Sequence, residues 1–477
     1  MKNKKVLIGV GVIAALIVIY AAMNLSGRNI TATEADAQFV QVIEKNGCLQ
    51  CHQANPDPVW YENFPLAKGL IATDRENSYR FIDLKAVVDA VNAGEDVPLP
   101  QVAMIEQSVL NNSMPVSQYT AVHWGSGLNA NEKQIMLNWT SAKKAYYADW
   151  YARQTGDDAP MLENGQFNWA LPELEGLGID QKKADLGLKL YHDTRLSADS
   201  TLACATCHVL NQGGADGSAH SRGIKGQFGG VNAPTTYNAL FNIREFWDGR
   251  AADLQDQAGG PPLNPIEMGY EDFDQIAKKL KEDEDMVAEF KKAYGDSAEI
   301  NQETITGAIA EFEKQLVTMN SPFDKYINGD TSALTAEEVQ GYEIFKKNYC
   351  ATCHVGPSFG GQSFEKLGTT TPIETYIAER GDGEGDGDAG HAAYTENEED
   401  KYKFKVPNLR NVTDTAPYMH DGSVLTLEQA VKIMFRYQTD NQNPSSADVD
   451  KVVQFLKAIN GENEYQSYEY NPSNTNY

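Results

Sequence analysis

Three observations predict a mainly α protein built as an N-terminal transmembrane helix followed by three similar domains. Apolar residues recur at three- and four-residue steps in "ENSYRFIDLKAVVDAVNAG", "ANEKQIMLNWTSAKKAYYADWYARQ", "QETITGAIAEFEKQLVTM" and "TLEQAVKIMFRYQ", while strand-like alternation is scarce. One five-residue pattern, Cys-x-x-Cys-His, is written three times and uses all six cysteines. An uncharged apolar run covers Val6 to Met23.

Taken in chain order, the apolar run comes first. As a helix its 18 residues would rise roughly 27 Å, enough to cross a bilayer core. Lys2, Lys4 and Lys5 precede it and should stay cytoplasmic. The expectation is a single pass through the inner membrane with the globular part in the periplasm. The alternative is a cleaved signal peptide, since "EADA" ending at Ala37 resembles a cleavage site, although it lies far beyond the run. Those lysines and Arg28 are the only charges before residue 30, so of the net −27 the remainder carries −31. Such acidity argues against nucleic acid or an anionic membrane surface as a partner of the globular part, and is compatible with a cationic donor protein.

The motifs follow as Cys48, Cys51 and His52, then Cys204, Cys207 and His208, then Cys350, Cys353 and His354. Two thiols in this spacing can add to the vinyl groups of one haem while the histidine ligates the iron. A lone copy would also suit zinc or a redox dithiol. Three copies, each with histidine immediately after the second cysteine, favour three covalently bound haem c groups and leave no cysteine for a disulfide.

The 477 residues give a soft prior of three domains, and the motifs agree, lying 156 and 146 residues apart. The boundaries read as a cytoplasmic tip and anchor at 1–29, an N-terminal monohaem cytochrome c-like domain at 30–160, a second haem domain at 161–330 and a third at 331–477. A weak repeat links the last two: "GLKLY" starts 17 residues before Cys204 and "GYEIF" 9 before Cys350. "GGPPLNPIEMG" and "GQFGGVNAPTTYN" read as long loops of the kind that wrap a haem. "RGDGEGDGDAGH" reads as a solvated acidic loop without the spacing of a calcium loop.

From about residue 165 to 460, "DTRLSADSTLACATCH", "VNAPTTYNALFNIREFWDGRAADLQDQAGGP", "IEMG" and "KVPNLRNVTDTAPYMHDGSVLTLEQAVKIM" resemble the bacterial dihaem cytochrome c peroxidases. With an anchor and a further haem motif ahead of them, the whole chain looks like the trihaem, membrane-bound branch that includes quinol peroxidases. The resemblance implies reduction of hydrogen peroxide to water, with electrons from membrane quinol or a small c-type cytochrome, and is compatible with a homodimer. It implies that Met434 ligates the His354 haem, which passes electrons, and that the His208 haem meets peroxide. His220, on the loop after that motif, matches a resting ligand that must leave; a plain exposed loop histidine is the alternative. Glu267 matches the family's proton-shuttling base, Gln257 its companion amide, and Trp247 the aromatic between the two haems. Asn232, Thr415 and Pro417 match the ligands of one calcium ion. For the His52 haem, Met114 in "NNSMPVSQY" is the candidate sixth ligand, with Met104 and His123 as rivals. Two other readings stand beside this one. A multihaem electron carrier without peroxidase activity would need no acid/base pair such as Glu267 and Gln257. A peroxide-dependent protein-oxidising maturase would carry tyrosine at position 434.

Overall fold

The computed structural model describes residues 29–469 apart from 60, 61, 63, 65, 66, 117, 118, 121, 122, 124, 125, 157 and 161, together with Ala14, Ala15, Val18 and Ile19. The expected anchor at Val6–Met23 therefore lies almost entirely outside the described residues. Among the described residues no helix is long and apolar enough to cross a membrane. The chain forms two compact units: Met1–Asp149 with Pro160–Gln166, and Trp150–Ala159 with Phe167–Tyr477.

The first unit holds α1 (Ala35–Lys45), a single turn at Cys48–Gln50, α2 (Ala67–Phe81), α3 (Leu84–Ala93), α4 (Leu99–Asn111) and α5 (Ala130–Thr155), whose final turns belong to the second unit. The periodic stretch around residues 76–94 is two helices. Asp83 interrupts it, because its carboxylate accepts from the N–H groups of Lys85 and Ala86 and so starts α3. The core is apolar and aromatic: Phe39 stacks on Trp139 at 3.8 Å between centroids, beside Val42, Ile43, Val87 and Val102. Within it one ion pair is fully buried, Lys144 Nζ to Glu106 Oε1 at 2.8 Å.

The second unit contains α6 (Gln181–Tyr191), α7 (Leu254–Leu263), α8 (Phe273–Lys281), α9 (Glu284–Tyr294), α10 (Gln302–Glu313), α11 (Ala336–Lys347), α12 (Ile373–Arg380), α13 (Leu427–Gln438) and α14 (Ser446–Ala458). Its one sheet among the described residues is a two-stranded antiparallel ribbon of β1 (Phe364–Lys366) and β2 (Lys403–Lys405). Two helix pairs organise the rest: α6 lies on α10, and α11 on α14. The weak repeat is what lets each pair close. A Cβ on Gly187 would stand 1.9 Å from the Ala308 carbonyl oxygen, and one on Gly341 would stand 2.1 Å from that of Lys451. Only glycine permits so near an approach of two backbones. Four residues on, Tyr191 meets Phe312 at 5.1 Å and Phe345 meets Phe455 at 5.4 Å.

Three expectations need correcting. "GGPPL" is not loop but the end of α7. Asp253 caps this helix by accepting from the Asp256 N–H, and both prolines sit in its last turn, where each lacks the N–H that would bond the preceding turn and the helix stops one residue later at Leu263. The stretch "QETITGAIAEFEKQLVTM" is helical only to Glu313. Beyond it the Leu316 carbonyl accepts from Asn238 N–H and the Thr318 N–H donates to Asn238 Oδ1, so the backbone bonds outward. "RGDGEGDGDAGH" is not wholly solvated, since Asp388 within it is buried, receiving hydrogen bonds from Arg380 at 2.8 Å and His420 at 2.7 Å.

Candidate active site

Each Cys-x-x-Cys-His motif folds as a single helical turn that ends at its histidine. The turn puts the two thiols of a motif on one side and carries the imidazole just beyond them. In all three histidines Nδ1 is engaged by backbone carbonyls: Ser78 at 3.0 Å for His52, Pro234 at 3.1 Å for His208 and Phe359 at 3.0 Å for His354. That bond fixes the tautomer and the ring orientation and leaves Nε2 for a metal. Burial lowers the pKa of each ring, that of His354 to about 4, which keeps the imidazole neutral as iron ligation requires. His354 is held further from behind, where Asn168 Nδ2 donates to its carbonyl at 2.9 Å.

In the first unit the motif opens on a cavity of about 420 Å³ lined by Cys48, Cys51, His52, Phe81, Met104, Met114 and His123 among other mostly apolar residues. A flat apolar macrocycle fits such a space. Met104, Met114 and His123 all face it, so the cavity brings together the whole set of sixth-ligand candidates. His123 Nδ1 is bonded to the Tyr119 carbonyl at 3.2 Å, and its ring stacks on that of Tyr119.

Around His208 the second unit gathers polar groups. The loop carrying His220 runs against the segment carrying Glu267: Ile224 N–H donates to the Glu267 carbonyl at 2.7 Å, and Gly223 meets the backbone of Ile266. Both reach the motif. Burial raises the Cys207 thiol to about 11, the Ser221 hydroxyl opposes that rise, and the charges of Asp216 and Glu267 add to it. His220 Nδ1 is buried without a hydrogen-bond partner. Glu267 is half-buried and accepts from Asn264 Nδ2 at 2.8 Å. Burial pushes its carboxyl up, against the opposing charge of Arg250 and the Asn264 bond. Gln257 is half-buried on α7, the helix leading to that segment.

On the His354 side, the charge of Glu365 in β1 acts on the Cys353 thiol of the motif, and burial raises the carboxyl of Glu365 itself. Met434, on α13, packs with Trp247, Met419 and Ile433 against a cluster of Leu367, Ile373, Tyr376, Tyr402, Phe404 and Tyr437. Trp247 Nε1 donates to the Asn232 carbonyl at 2.9 Å, while Asn232 N–H donates to the His420 carbonyl at 2.8 Å. The Trp247 ring meets those of Phe404 and His420 edge-on at 6.4 and 6.5 Å. Asn232 Nδ2 donates to the Ser218 carbonyl at 2.9 Å, which turns its Oδ1 the other way as an oxygen donor. The glycine loop before it touches the segment of Thr415 and Pro417, with Gly213 against Asp414 and Gly217 near Ala416.

Several residues here were not singled out from the sequence. Arg410, in "KVPNLRNV", is fully buried and binds Asp324 through two nitrogens at 3.0 and 2.7 Å and the Pro357 carbonyl at 2.6 Å, anchoring the loop behind His354. Arg250 binds Asp248 and stacks on Phe246 with its guanidinium 3.5 Å from the ring centroid. Its position three residues after Trp247 was the available signal.

Comparison with known proteins agrees with this arrangement. Residues 181–332 match the family model of the di-haem cytochrome c peroxidases, and residues 10–142 match that of a haem-binding domain. The chain is 43% identical over 443 residues, 91% of each chain, to the cytochrome c peroxidase Ccp of Escherichia coli (strain K12). It is 44% identical over 280 residues, 58% of this chain and 80% of the other, to the cytochrome c551 peroxidase of Nitrosomonas europaea. The crystal structure of a MauG-like protein associated with microbial copper homeostasis superposes with a TM-score of 0.54 at 26% identity, covering 62% of this chain and 93% of that one. The chain belongs to the di-haem cytochrome c peroxidase family and carries a haem-binding domain ahead of the peroxidase region. It is a cytochrome c peroxidase, an oxidoreductase that reduces hydrogen peroxide and holds haem c in both regions.

Proposed function

We propose that the electrons come from membrane quinol, with a small c-type cytochrome as the alternative donor. They enter at the His52 haem, pass to the His354 haem and end at the His208 haem, where peroxide is reduced. The last assignment is carried by one observation: the His208 motif is met by Ser221, next to half-buried His220 whose Nδ1 is buried with no partner among the described residues, and by the charge of Glu267, whose carboxyl pKa is raised.

When bound, haem supplies an iron that exchanges electrons and can take a peroxide oxygen. The protein supplies the proton handling. Glu267 takes the proton from the near oxygen of peroxide and delivers it to the far one, so that water can leave. Burial raises its affinity for that proton, and Arg250 limits the rise, so the group both accepts and releases it. Gln257 orients the peroxide from α7. His220 would hold the His208 haem at rest, and its glycine-flanked loop would let it leave. Trp247, which touches the Met434 cluster on one side and Asn232 on the other, lies on the electron route. Met434 and Met114 would be the further iron ligands of the two electron-carrying haems, each thioether supplying a higher potential. Asn232 Oδ1 with the carbonyls of Thr415 and Pro417 would hold one calcium ion, a hard cation suited to oxygen donors.

Quinol is favoured because the apolar run Val6–Met23 ends 24 residues before Cys48, so an anchor in the inner membrane would hold the first haem domain near the lipid. The test is peroxide consumption by the full-length enzyme with quinol or with a cytochrome as donor, at rising ionic strength. A cationic cytochrome acting on the −31 surface loses rate steeply with salt, and a neutral quinol does not. Fast cytochrome turnover with no quinol oxidation overturns the quinol reading.

A further inference from the structure

One buried acid has no part in the chemistry above. Glu313 closes α10 with only 5% of its surface exposed. Among the described residues its carboxyl makes no ion pair, and no hydrogen bond to its oxygens is seen. Its nearest charged neighbour is a second buried acid, Glu245, which accepts from Asn242 Nδ2 at 3.0 Å and stands 3.8 Å from Lys405 Nζ. Glu245 and Lys405 are themselves 7% and 6% exposed, so of two buried carboxyls that act on each other only Glu245 has a cation. That composition cannot hold both acids ionised cheaply. Lys405 pairs with Glu245, which leaves Glu313 as the one that gains or loses a proton.

Its other neighbours say what that proton answers to. On the motif turn the Cys204 thiol feels the charge of Glu313, and on α6 Tyr191 feels it too. Cys204 is the point at which the haem edge would be bonded. The Tyr191 hydroxyl donates to the His208 carbonyl at 2.7 Å. The remaining acid close to the group is Asp253 at the start of α7, which acts on Glu245. A buried carboxyl beside a centre that changes charge by one unit exchanges protons with that change.

We propose that Glu313 is a redox-linked proton site, taking up one proton when the His208 haem gains an electron. The electron comes from the donor of the established reaction. The proton comes from water and forms one O–H bond on the Glu313 carboxylate, and no protein bond breaks. Ferrous haem with a carboxylic acid then carries the same charge as ferric haem with a carboxylate, so the interior stays balanced. Burial, with Glu245 adding to it, sets the Glu313 carboxyl at about 8, where neutral solution can supply that proton. The inference holds whatever Glu267 and His220 do, because it concerns the potential of the haem and not the fate of peroxide.

The test uses the intact holoprotein and no peroxide. The potential of the His208 haem should fall with rising pH by one proton per electron in the wild type, and should be flat over the same range in Glu313→Gln. Redox-difference infrared spectra should gain a protonated-carboxyl band on reduction, absent from Glu313→Gln. Glu245→Gln removes the neighbouring negative charge and should move the pH-dependent range downward. If Glu313→Gln does not fold, the wild-type infrared band and the Glu245→Gln shift still decide the matter. A pH-independent wild-type potential, an unchanged slope in Glu313→Gln, or a Glu245→Gln range that stays in place overturns the proposal.

Discussion

The two haem regions of the second unit share a skeleton and differ in what they hang on it. Residues 181–332 close α6 on α10 through Gly187, and residues 333–467 close α11 on α14 through Gly341. An aromatic pair follows four residues later in each case. Both carry the turn "CATCH". Between the motif and the closing helix they part. The first region surrounds its motif with groups that can take or give protons and with an imidazole nitrogen left unpartnered. The second packs Met434 against an apolar cluster, sets a single acid, Glu365, to act on its motif thiol, and ties His420 to buried Asp388. Satisfied polar groups and close apolar packing hold one geometry, whereas an unsatisfied buried group is poised to change partners. The duplicated fold thus provides a haem seat twice, and the inserted segments give the two seats different surroundings.

The largest test of that contrast is Glu267→Gln. It should lower peroxide turnover by about 10²–10⁴-fold with all haem spectra unchanged, because a proton shuttle is lost and no ligand is touched. Turnover within a few-fold of wild type would return the first region to the same passive class as the second. The pH profile carries a matching sign. Glu267 must be ionised to accept a proton, and burial raises its pKa, so the acid limb of the rate should fall at higher pH than for an ordinary carboxylate.

Met434→His attacks the other side. Imidazole favours the ferric state more than a thioether does, so one haem potential should drop and electron delivery to the first region should stall. A redox titration with every potential in place would show that Met434 only packs.

Asp388→Asn should leave the first region's spectra alone and destabilise the second. It strips a buried carboxylate from Arg380 and His420, a loss of about 3–5 kcal/mol for a broken buried pair, read by denaturant unfolding. Burial alone would raise this acid, but the hydrogen bonds from His420 and Arg380 outweigh burial and hold it well below the usual range. Its contribution is therefore present above the ordinary aspartate pKa and disappears as pH falls through the depressed one.

The smallest effect probes the shared skeleton. Gly187→Ala and Gly341→Ala each push a methyl into a facing backbone, and each should cost about 1–3 kcal/mol, measured as a lowered unfolding midpoint. Similar losses in both keep the two regions structurally equivalent. A tolerated substitution at one site would mean that only the other depends on a tight crossing.

Much of this was legible before folding. The thrice-written Cys-x-x-Cys-His pattern names the haem seats because covalent attachment needs those residues at that spacing, and repetition with the histidine in place each time sets it apart from a zinc or redox pair. Capped amphipathic helices such as α13 appear where their periodicity puts them, since burying one apolar stripe is a local property of the sequence. The unusual segments did not follow composition. "GGPPL" looked like loop and is the end of a helix, because the capped turns before it carry the helix into the prolines, and it stops directly after them. "RGDGEGDGDAGH" looked solvated, yet Asp388 is buried, because the segment folds back onto its own Arg380 and His420 reaches it from farther along the chain.

The sequence alone therefore determined the number and kind of haem sites, the class of fold and, through long matching stretches, the family. Only tertiary structure decided how the acids are used. Glu267, Glu313 and Asp388 are the same sort of side chain on paper. One is half-buried near an arginine, one is buried beside another acid, and one is held between an arginine and a histidine. Charge state in a protein interior depends on burial and on partners distant in the chain, and neither is written at the residue itself.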